Sequence, residues 1–136
     1  MDYSAEERFI KNYIKKRYRE RLLSELTTPK KRHTGLDRFC HQTSDLIDPA
    51  KIYLEGDDLE RLPEFKEFCK KHQSLCRVLS PEFYWEETEA SLDEAVKMAI
   101  MSLDAFLVLG DGFAIVFGEP VKGGREKYLV VENAGK

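Results

Sequence analysis

Cys69, His72 and Cys76 bring three possible metal ligands, two thiols and an imidazole, within eight residues. Residues three apart on a helix share a face, so Cys69 and His72 could reach one ion. Cys76 lies just beyond, and Cys40 or His41 could complete a tetrahedral thiolate and imidazole zinc site. The pattern lacks the paired Cys-x2-Cys knuckles that make a strong zinc signature. Each residue also has a plain structural use, because free cysteine is among the most buried side chains and histidine at a helix C-terminus favours the dipole. A small zinc-containing protein is thus one reading, and no other cofactor is expected.

Nucleic-acid or phosphate binding is a second chemistry. Residues 11–38 hold ten Lys and Arg against three acids, a local charge of +7 in a chain whose net charge is −3. Lys15, Lys16, Arg19, Lys30, Lys31, Arg32 and His33 are the candidate anion ligands, on a helix and the loop after it. Against this, helices commonly carry Lys and Arg as a solvated face, and the remainder of the chain is strongly acidic.

Phe83-Tyr84-Trp85, followed by Glu86 and Glu87, has the composition of a protein-binding hot spot, aromatic anchors beside a charged rim. Buried, the same residues form a corner of the core. For catalysis the chain offers three histidines and three cysteines, with Asp37 or Asp45 as an orienting carboxylate. It has no Gly-x-Ser-x-Gly, no His-Glu-x-x-His and no phosphate-loop signature, which weighs against an enzyme. The loop Gly118–Arg125 could offer backbone N–H groups to an anion, or serve as a long hairpin connection. Arg125, Glu126 and Lys127 read as charges guarding an edge strand.

The elements that position these residues centre on Asp104–Glu132. Apolar runs at 105–109, 113–117 and 128–131 are separated by glycine-containing turns, the mark of strands buried on both faces. They predict an antiparallel C-terminal meander in an α+β fold of four or five strands. A long N-terminal helix is expected from Ser4, opened by a Ser4/Glu7 capping box, to about Leu26, with Ile10, Ile14, Tyr18, Leu22 and Leu26 in one row. Short strands at 51–55 and 75–79 and a helix opened by Pro63 follow. Ser91 and Glu94 cap a helix whose Leu92, Ala95, Val96, Ala99, Ile100 and Leu103 point inward. Helices over one face leave the other to be covered by the first helix or a partner chain.

At 136 residues the chain reads as one domain, 1–136, able to bury a core without staples. With 35% charged residues it predicts a soluble protein, and no apolar run nears the roughly 18 residues of a membrane span. No membrane partner is expected. Three cysteines without framework spacing suit a reduced, cytoplasmic setting. Segregated charge and a two-faced meander favour a small binding module engaging a protein partner or its own copy, with nucleic-acid and zinc readings as alternatives.

Overall fold

A computed structural model describes residues 3–81 and 88–133. The helices are α1 (Ser4–Tyr13), α2 (Lys16–Leu26), α3 (Arg32–His41), α4 (Thr43–Leu46), α5 (Pro63–Lys71) and α6 (Leu92–Met101). The strands are β1 (Ile52–Glu55), β2 (Leu75–Leu79), β3 (Thr88–Ser91), β4 (Phe106–Leu109), β5 (Phe113–Phe117) and β6 (Lys127–Val131). They form one sheet in the order β1-β6-β5-β4-β2-β3, antiparallel at every pairing. The fold is α+β, with six strands rather than four or five. The additional one is β3, whose Thr-Glu-Ala-Ser sequence carries no strand signal of its own and pairs as an edge against β2.

The meander has the expected form, and the period of two along it builds two cores. Leu107, Leu109, Ala114, Val116 and Val130 pack against α1, α2, α3 and α4. Phe106, Val108, Phe113, Ile115, Phe117 and Leu129 pack against α5, α6 and Leu59. Helices from the same chain therefore cover both faces, and neither face waits for a partner.

The long first helix is broken at Ile14 and Lys15, where the backbone turns extended. No proline or glycine marks the break. Ile14 is fully buried and bridges Ile47, while the freed backbone groups find partners in the segment after α4: Lys15 N–H donates to Leu46 O (2.8 Å) and Asp48 N–H to Tyr13 O (2.8 Å). Tertiary pairing overrides the four-residue row. The Ser4/Glu7 box also fails to form, because the capping position falls on Tyr3, with no side-chain cap. Ser91 does cap α6, accepting from Glu94 N–H, and Pro63 opens α5. Among the described residues no helix is long and apolar enough to cross a membrane.

α2 and α3 cross closely at Gly35, where a Cβ would lie 2.8 Å from Glu25 Cβ and 3.1 Å from Leu26 Cδ2. Gly35→Ala should therefore push the two helices apart and lower the unfolding free energy by about 1–3 kcal/mol, read from urea denaturation.

Candidate functional site

Glu6 is a carboxylate with no exposed surface. It lies on the inner face of α1, wholly buried, as is Arg32 at the start of α3. Arg32 Nη1 sits 2.9 Å from Glu6 Oε2 and also donates to Leu26 O. Arg77 reaches the same carboxylate from β2: its Nη2 donates to Oε2 at 3.4 Å, and its Nε lies 3.4 Å from Oε1 without the alignment of a hydrogen bond. Two guanidiniums thus share one carboxylate away from water. A buried charge is tolerated only when paired in this way.

Arg77 also lines a cleft of about 440 Å³ between α1 and the turn joining β4 to β5. The four-residue spacing of Ala5, Phe9 and Tyr13 along α1 brings all three to it, and Leu109, Phe113 and Ala114 add apolar wall. Its rim carries Arg8, Glu89, Asp111 and Glu132. Arg8 donates from Nε to Glu132 (2.6 Å) and from Nη1 to Asp111 (2.8 Å), tying α1 to the turn and to the end of β6. The bonds to Glu132 and then Asp111 raise the guanidinium pKa above its already high value. Tyr13 is only 2% exposed, and its hydroxyl has no hydrogen-bond partner among the described residues. Burial pushes that phenol up, reinforced by the nearby Glu132 charge.

The sequence-predicted zinc ligands are not brought together. Among the described residues no group of three His, Cys, Asp or Glu could hold a metal ion. His72 stacks on Phe68 with ring centres 3.9 Å apart, and Cys76 Sγ turns to Ser74 O. Desolvation pushes the Cys69 thiol to about 11 and raises that of Cys76, so burial disfavours the thiolate form of both. The Cys40 side chain is not among the described ones.

Of the candidate anion ligands, Lys16, Lys30, Lys31 and His33 face solvent and Lys15 is half-buried. Arg19 donates back to Ile14 O, and Arg32 is committed to Glu6. The aromatic and acidic candidates Phe83, Tyr84, Trp85, Glu86 and Glu87 lie outside the described residues.

His41 does meet a carboxylate, lying 3.5 Å from Asp37 and 3.1 Å from Glu119 on an open surface. No serine, lysine or described cysteine lines the adjoining hollow, so no nucleophile stands beside this histidine there. In the Gly118–Arg125 loop the N–H groups of Gly118, Val121, Gly124 and Arg125 already have partners within the protein, and Arg125 donates its guanidinium to the Gly118, Ala99 and Asp104 carbonyls. Lys127 guards no edge either, since β6 lies inside the sheet and its ammonium is 2.9 Å from Glu60.

Glu6, Arg77 and Tyr13 were legible only as anomalies. Glu6 precedes Phe9, Ile10 and Tyr13 by three, four and seven residues, an acid on the apolar stripe itself. Arg77 shares the inward strand positions with Leu79. Replacing Glu6 by Gln removes the carboxylate from between Arg32 and Arg77 and should cost about 3–5 kcal/mol of stability, measured by urea unfolding. No family model, curated protein or solved structure matches this chain.

Proposed function

We propose that the chain is a binding module that engages a protein surface, a partner's or that of a second copy, where α6 ends. The observation that carries this is the exposure of three large apolar side chains within four residues: Ile100 at 44%, Met101 at 82% and Leu103 at 83%. Ile100 and Leu103 belong to the periodic row expected to face inward. Instead α6 turns only Leu92, Ala95 and Ala99 fully into the core, and the chain leaves the helix before Leu103 can follow. Both faces of the sheet are already covered, so these side chains are surplus to the fold. Clustered exposed apolar residues mark interaction sites, whereas Tyr53, Leu75 and Val121 stand singly elsewhere. The test is a photo-crosslinking side chain at position 101, with and without Leu103→Lys. A discrete crosslinked species of dimer or heteromeric mass, lost in the Lys background, is the expected outcome. Crosslinks confined to the monomer, together with monomeric sedimentation, would remove the support for this reading.

A second reading, phosphate or nucleic-acid binding, draws on one groove. Arg17, Arg21, Lys31 and Arg38 line it between α2 and α3, with the Ser24 and Thr34 hydroxyls and the acids Glu20 and Glu25. Glu25 is largely occupied by Arg38, leaving a net positive trough. Nucleic acid bound there should dissociate steeply with added salt, and Arg17→Gln with Arg21→Gln should flatten that dependence by a slope of about 2. No retarded species at low salt would dispose of it.

A further inference from the structure

We propose that the groove between α2 and α3 takes the terminal phosphoryl group of a phosphomonoester. The inference rests on the phosphate reading above and narrows it to one dianion rather than a nucleic-acid backbone. The groove holds about 680 Å³. Arg17, Arg21 and Ser24 line one wall at spacings of four and three along α2, so they share a helix face. Lys31, Thr34 and Arg38 line the other wall at spacings of three and four, from the start of α3. The close crossing at Gly35 holds the two walls together at the base.

The charge count sets the ligand. Four cations stand against the two carboxylates of Glu20 and Glu25, which leaves an excess of +2. A single phosphomonoester, with a charge of about −1.5 to −2 at neutral pH, cancels it. A run of phosphodiesters uses up the same excess within two phosphates, and the next would meet Glu20.

The donors are uncommitted, and one is aimed. Buried Glu25 takes Arg38 through Nη1, and among the described residues this is the one bond the guanidinium makes. Its fork is thus oriented with N–H groups to spare. Arg21 Nε lies 3.9 Å from the same carboxylate, too far for a hydrogen bond. Arg17 meets only the ring of Tyr18, 4.8 Å from its centre. Lys31, Ser24 and Thr34 are exposed, and their side chains bond to no described residue. By contrast Arg8, Arg77 and Arg125 are spent on carboxylates or carbonyls of the fold. The three terminal oxygens of a tetrahedral phosphoryl group can accept from both walls at once, with arginine offering paired N–H groups and the hydroxyls one each.

The groove shares no residue with the apolar end of α6, so either proposal can fail without the other. The experiment is titration of the isotope-labelled intact protein with phenyl phosphate, with methyl phenyl phosphate and with single-stranded DNA lacking a terminal phosphate, followed by amide shifts. Phenyl phosphate should move the amides of residues 17–25 and 31–38 saturably, and methylation to the singly charged diester should weaken binding roughly tenfold. Arg17→Gln and Thr34→Val alter exposed side chains; both should fold as the parent does and bind phenyl phosphate several-fold more weakly. A phosphoserine peptide and a sugar phosphate carry the same dianion, and tighter binding of one than of phenyl phosphate would name its source. Equal affinity for the two esters, or unchanged affinity in both variants, would overturn the proposal. Binding of the DNA without a response to phenyl phosphate would overturn it while leaving the nucleic-acid reading in place. No response to any of the three would remove both.

Discussion

One carboxylate out of reach of water ties this fold together. Glu6 draws α1, the start of α3 and β2 onto a single point, although these elements are separated by long stretches of chain. Ion pairs of this kind seldom add much net stability over well-packed apolar groups, but the loss of one partner is severe. Their value lies in specifying position. With Glu6 fixed, α1 can lie against the sheet in only one register, and the cleft beside it takes its shape from that choice.

The fold was legible wherever local chemistry and global packing agreed. The apolar runs from Ala105 to Val131 had one way to bury both faces, and Ser91 and Pro63 sat where helix starts favour them. Legibility ended where distant partners decided the matter. The break at Ile14 depends on Leu46, Ile47 and Asp48 taking up its backbone groups, and nothing in residues 10–18 announces it. Strand β3 pairs along the outer edge of β2, although Thr-Glu-Ala-Ser has little strand character. Arg32 read as one more cation in a basic run, and its burial could not be foreseen without Glu6.

The chemistry of the site follows the same division. Charge segregation was visible, but which cations converge was not: Arg17, Arg21 and Arg38 share a groove with Lys31, whereas Arg19 and Arg32 are spent on internal bonds. Burial pushes the Cys69 and Cys76 thiols up, and among the described residues the pair is not gathered with a third metal-ligating group. The remaining features are non-covalent: two ionic clusters, a mixed cleft and an apolar knuckle after α6.

The strand order carries a kinetic implication. Among the described residues β1 pairs with β6 alone, so Ile52 must wait for Val130, and β6 itself is held between β1 and β5. A chain emerging from the ribosome can form helices and the β2–β3 ribbon early, but the sheet has no closed form until its final strand has been synthesised. Loop closure over such a separation is slow relative to local structure. Completion of the sheet therefore depends on a pairing between segments far apart in the chain.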